Sequence, residues 1–160
     1  DTDHSVSKKI SSVSVSNGIV WTADYRTMYF IDSGLNNVRA YDYDIDSGDI
    51  GNERVVAQNE DAGVFDGMAI DAEGMLWIAV YGGSCVKRYN PQDGALLREL
   101  QLPMDNVTSC AFGGANLDEL YVTSACQGFD EEAKKAQPLA GSLVRLDPGV
   151  QGVPSHVFAG

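Results

Sequence analysis

Two dipeptides in this chain combine residue types that could do chemistry. Asn17-Gly18 opens the apolar stretch "NGIVW", and Asp66-Gly67 opens the similar stretch "DGMAI". An amide oxygen and a carboxylate are hard donors of the kind that Ca2+, Mg2+ or a similar ion takes. The carboxylate can also accept a proton from water, whereas the amide cannot. Brought together, the pair could hold a cation and supply one base. Left apart, Asn-Gly and Asp-Gly are simply dipeptides that favour tight turns, and spacing alone leaves both readings open.

What would bring residues 17 and 66 together is a repeat. "NGIVW" from Asn17, "MYFIDS" from Met28, "VRAYDYD" from Val38 and "ERVVAQ" from Glu53 match "DGMAI" from Asp66, "LWIAVY" from Leu76, "VKRYNPQ" from Val86 and "LLRELQL" from Leu96. A third unit runs through "TSCAF" from Thr108, "LYVTSA" from Leu120, "LVRLDPG" from Leu143 and "SHVFAG" from Ser155. It is interrupted by "CQGFDEEAKKAQPLAG", whose "DEEAKK" reads as a solvated short helix or loop shaping the channel entrance. Four short strands per unit, with starts 49 and 42 residues apart, predict an all-β chain of stacked propeller blades. A sandwich is the alternative. The spacing predicts blades over 17–60, 61–104 and 105–160, with 1–16 the remnant of a preceding blade. About three blades leave open faces that ring closure normally removes. The missing blades are therefore expected from an amino-terminal half of the propeller or from a second copy of the chain. In a propeller the first strand of each blade lines the axis, so Asn17 and Asp66 are expected to converge there.

Composition narrows the partners. With 23 acidic against 11 basic residues, a net charge of −12 repels nucleic acid and anionic membrane surfaces. The chain has no apolar run of membrane-spanning length and its first residues lack a signal-peptide core. Cys85, Cys110 and Cys126 are sparse, odd in number and without metal-ligand spacing, so they read as reduced thiols of a cytoplasmic protein.

Other constellations are weaker. The two histidines, His4 and His156, cannot build a histidine metal cluster or a Ser-His-Asp site. "DYDIDSGDIGNE" from Asp42 to Glu53 resembles a calcium-binding loop between helices, but Gly48 falls seventh instead of sixth and no helical pattern flanks it. It reads as a hairpin. Thr108 and Ser109 head the third unit and are expected to pack or hydrogen-bond beside the channel. Trp21, Trp77, Tyr29, Phe30 and Tyr121 read as core between blades. "NVT" at Asn106 fits the glycosylation pattern and reads as chance.

Together, "SNGIVWTAD", "YFIDS", "YDYD", "DGMAIDAEGMLWIAVY", "TSCAFGG" and "NLDELYVTSA" resemble the carboxy-terminal half of the regucalcin, senescence marker protein and gluconolactonase family, which includes insect luciferin-regenerating enzymes. The resemblance implies a six-bladed propeller hydrolysing sugar lactones, with one divalent ion at the channel mouth: Ca2+, Zn2+, Mg2+ or Mn2+. It implies Asn17 and Asp66 as metal ligands, Asp66 as the base and Asn17 as a substrate contact. The family's glutamate ligand and its arginine, asparagine and glutamate substrate contacts have no counterpart here. Little activity and poor divalent-ion binding are therefore expected of the chain alone. A non-catalytic calcium-binding or interaction propeller is the alternative.

Overall fold

A computed structural model of the chain describes residues 5–155, so both histidines and nearly all of the strand expected from Ser155 lie outside the described residues. The architecture is a partial β-propeller of three antiparallel sheets. The first contains β1 (Ser16–Trp21), β2 (Thr27–Asp32), β3 (Asn37–Tyr43) and β4 (Ile50–Gln58), in that order. The second contains β5 (Val64–Ile70), β6 (Leu76–Tyr81), β7 (Cys85–Tyr89) and β8 (Leu96–Gln101). In the third, β10 (Glu119–Ser124) pairs with both β9 (Val107–Gly113) and β11 (Leu143–Leu146).

The strand sequences follow from which faces are covered. On β6, Leu76, Ile78 and Val80 pack toward the first sheet with Tyr29, Ile31 and Val38. Trp77 and Ala79 point the other way, into a cluster with Val107, Cys110, Leu120 and Val122 of the third sheet. A strand apolar on both faces reads as a continuous run, and "LWIAVY" is one. The outer strand β8, "LLRELQ", is mostly exposed and carries charge, which discourages edge pairing. Lys87 is buried on β7, where its Nζ lies 3.1 Å from Asn59 Oδ1 and 2.5 Å from Asp61 Oδ2, closing the outer seam between the first two sheets.

Several sequence expectations are refined. Trp77, Tyr29 and Phe30 are buried, but Trp21 and Tyr121 are half-buried. Trp21 packs edge-on against Tyr43, at 5.7 Å between ring centres, on the face of the first sheet turned away from the second sheet. The Tyr121 hydroxyl donates to Glu119 on a face that no described sheet covers. Residues 5–15 carry no strand; Ile10 and Val13 pack over Met28, Phe30 and Tyr41. The Asp42–Glu53 stretch is a hairpin, with Asp44 N–H donating to Asp49 O and Gly48 at φ 66°. "DEEAKK" forms α1 (Glu131–Ala136), a solvated helix with no buried residue and Asp130 as its N-cap. Burial raises the Cys85 thiol to about 11 and the Cys110 thiol to about 12, which leaves both unreactive.

Candidate functional site

Asn17-Gly18 and Asp66-Gly67 are not turns. Both lie inside inner strands, at the same irregularity. Between Ser16 and Ile19, β1 spends three steps where β2 spends two, and β5 does the same between Phe65 and Met68. β9 carries a third bulge at Thr108. Such a bulge bends the strand and re-aims its side chains. Neither glycine has positive φ, so what glycine contributes here is space. A Cβ on Gly18 would lie 2.6 Å from Met68 Cβ and 2.9 Å from Asp66 O. A Cβ on Gly67 would lie 2.2 Å from Ser109 Oγ and 2.7 Å from Ser109 Cα. Each glycine lets the next inner strand pack directly against the bulge, β5 on β1 and β9 on β5.

Gly67→Ala is therefore expected to destabilise the chain by about 1–3 kcal/mol, the usual cost of overpacking a rigid contact. Chemical denaturation measures this directly, and a change within about 0.5 kcal/mol would match an ordinary surface position instead.

That contact joins the two predicted residues. Asn17 and Asp66 are both half-buried, on neighbouring inner strands, and the Asn17 side chain is near enough to the Asp66 carboxylate to favour its charged form. Burial raises the Asp66 carboxyl above its ordinary value, and Asn17 opposes that rise. The β2–β3 turn supports both. Asn17 Nδ2 donates to Ser33 Oγ at 3.1 Å, and the Ser33 hydroxyl donates to the Phe65 carbonyl at 2.6 Å. Phe65 N–H donates to Asn36 Oδ1 at 2.8 Å, while Asn36 Nδ2 donates to Gly63 O at 3.1 Å. Phe65 is thus gripped on both backbone groups immediately before Asp66.

Antiparallel pairing returns β2, β6 and β10 to the end from which the inner strands start, as Ser16 opposite Asp32 and Val107 opposite Ser124 show. The interruption at 125–142 therefore leaves the third sheet at the same end as Asn17 and Asp66. Gln137 fastens it there, with Nε2 donating to Asp105 Oδ2 at 2.6 Å and Oε1 accepting from Asp105 N–H at 2.8 Å. Thr108 shares a 2.7 Å hydroxyl contact with Thr123, and Ser109 packs on Gly67.

Sequence reasoning named the two facing side chains but missed Ser33 and Asn36. Both sit in a turn of unremarkable composition, "DSGLNN", and their partners lie 27–32 residues away. As donors, Asn17 and Asp66 offer an all-oxygen set suited to a hard divalent cation. Among the described residues, no group of three or more His, Cys, Asp or Glu side chains gathers to hold a metal. The pair fits as part of a coordination sphere that needs six to eight oxygens for Ca2+.

Comparison with known proteins agrees with this fold. The model for the "SMP-30/Gluconolactonase/LRE-like region" matches residues 1–126. Regucalcin from Xenopus laevis is 46% identical over 160 residues, covering 99% of this chain and 54% of its own length. A luciferin-regenerating enzyme superposes with TM-score 0.87 at 39% identity, over 96% of this chain and 52% of its own. A calcium-binding regucalcin from Agrobacterium tumefaciens gives TM-score 0.85 at 31% identity, over 92% of this chain and 50% of its own. The chain spans about half the length of the relatives it matches. Sharing its repeated strands and their order with these proteins across nearly its whole length, the chain belongs to the SMP-30/Gluconolactonase/LRE-like family.

Proposed function

We propose that this chain is the carboxy-terminal half of a divalent-metal-dependent hydrolase of sugar lactones, working when further blades complete its ring. The observation that carries the reading is the Asn17–Asp66 pair, an amide and a half-buried carboxylate set at matching bulges on neighbouring, packed inner strands. Family membership supports lactonase-like chemistry, and coverage of about half of each relative supports the need for more blades. Those blades come from an amino-terminal half or from a second copy of the chain.

Asn17 and Asp66 would hold the cation, which supplies Lewis-acid polarisation of the lactone carbonyl. Asp66 accepts a proton from the attacking water as the new carbon–oxygen bond forms. The ring carbon–oxygen bond then breaks, and the proton returns to the departing ring oxygen. Asn17 takes no proton; it orients the substrate and contributes its amide oxygen. The bulges hold these two groups on packed strands instead of on a loop, so their separation is set by the sheet contact.

Hydrolysis of sugar lactones, measured with and without a chelator, tests the reading. Turnover that the chelator removes is expected from the completed ring, with little from the 160-residue chain alone. Chelator-resistant turnover would remove the metal. Cation binding without turnover would favour a non-catalytic calcium-binding propeller, a reading motivated by the calcium-binding regucalcin among the structural neighbours.

A further inference from the structure

The Ser33 hydroxyl has one hydrogen, and it is directed to the Phe65 carbonyl at 2.6 Å. Toward Asn17 it can therefore present only lone pairs, so the Asn17 group facing it must be the amide nitrogen, at 3.1 Å. This settles which way the amide points. With the nitrogen turned to Ser33, the amide oxygen points away from that hydroxyl and is the atom offered to a cation. The same hydroxyl holds the backbone just before Asp66. One side chain thus sets the rotation of one proposed ligand and the approach of the other.

We propose that Ser33 is the positioning residue of this site: its hydroxyl locks the Asn17 amide in the orientation that offers oxygen to the metal and ties it to the strand bearing Asp66. The proposal rests on the reading of Asn17 and Asp66 as a metal-holding pair. Ser33 acts on the site through the Asn17 amide and the Phe65 carbonyl. Asn36 shares the grip on Phe65 but leaves the Asn17 amide untouched, so its loss would not free that amide to turn over.

The test compares the chain with Ser33→Ala, the hydroxyl-retaining Ser33→Thr, Asn17→Ala and Ser33→Ala/Asn17→Ala, all labelled with 15N. The Asn17 side-chain amide signal is the one that Asn17→Ala removes. In Ser33→Ala its exchange with water should quicken about tenfold, as expected for the loss of one hydrogen bond, and Ser33→Thr should restore it. Titration with Mn2+, read by paramagnetic broadening of site resonances, should show affinity roughly tenfold weaker in Ser33→Ala, as for other residues that orient metal ligands. In the Asn17→Ala background the same substitution should weaken Mn2+ binding less, because only the hold on the strand bearing Asp66 is then left to lose. Unchanged amide exchange, or an equal loss of Mn2+ affinity in both backgrounds, would overturn the proposal. Because the chain alone is expected to bind divalent ions poorly, absence of Mn2+ binding by the completed propeller is the result that removes the metal reading, while amide exchange still decides the role of Ser33.

Discussion

Asp66→Asn is expected to lower lactone turnover by the completed propeller at least about 100-fold while leaving the fold intact. Asparagine keeps the shape of the side chain, so the packing of β5 against β1 and β9 is preserved. What disappears is the negative charge that would hold a cation and the lone pair that would take a proton from water. The stability of the variant separates loss of chemistry from loss of structure. Burial raises the Asp66 carboxyl above its ordinary value of 3.8, with Asn17 opposing the shift. A carboxyl raised on folding favours its protonated form, so its effect on stability is most favourable below that ordinary value. The benefit is lost as pH climbs through the folded value. At neutral pH the charge is a burden, and Asp66→Asn should melt no lower than the unsubstituted chain. Near-normal turnover by the variant would exclude Asp66 as the base. A lowered melting temperature would show that the carboxylate has a structural role instead.

The second large effect lies one residue before Ser33. Asp32 is 1% exposed, and its carboxylate accepts hydrogen bonds from the backbone of Ser14, Val15 and Gly34 at 3.0–3.2 Å. It also pairs with the buried Arg39 at 3.3 Å. Asp32→Ala should destabilise the chain by about 3–5 kcal/mol, because it leaves a buried guanidinium without this partner and three N–H donors without an acceptor. The remaining partner of Arg39, Glu53 at 3.4 Å, is half exposed and cannot replace the buried charge. Burial by itself would raise the Asp32 carboxyl, but the three N–H bonds and Arg39 outweigh it and hold the group below its ordinary value. The sign of the pH effect follows. A depressed carboxyl contributes stability above its unfolded value, near 3.8, and loses it as pH falls through the lower folded value. Urea unfolding at neutral and acid pH should show Asp32→Ala much weaker at neutrality and nearly level with the unsubstituted chain at the acid end. A constant difference across that range would mean that Asp32 acts through packing and not through its charge.

The two predictions meet in the β2–β3 turn. Asp32 holds Gly34 and the segment before β1, while Ser33 and Asn36 hold the segment before Asp66. A turn fixed on both sides transfers the rigidity of the first sheet to the start of the second.

Much of the fold was legible because burial leaves a pattern in the chain. β2 and β6 are covered on both faces and read as unbroken apolar runs, while "DIDSGD" and "PQDG" announce their hairpins. β4 was read too short, from Glu53, whereas it begins at Ile50. A left-handed Asn52, at φ 51°, and two register shifts against β3 let "IGN" join the ladder, and no local signal marks such a bulge. Trp21 and Tyr121 were placed with the core because an aromatic residue in a strand indicates burial without saying which face a neighbour covers. The site was legible in part. Asn17 and Asp66 stood out because the repeat placed them at equivalent positions.

The amino-acid sequence by itself determined the strands, their grouping into units and the two oxygen-bearing side chains at the unit heads, since these depend on patterns only a few residues long. Tertiary structure alone decided that Gly18 and Gly67 give room for a neighbouring strand instead of forming turns. It alone decided that Ser33 reaches across 32 residues to the strand bearing Asp66, and that Asp66 is buried enough to hold its proton more tightly. Each of these outcomes depends on which surfaces meet when the sheets stack, and that information resides in the packed interface between strands distant in the chain.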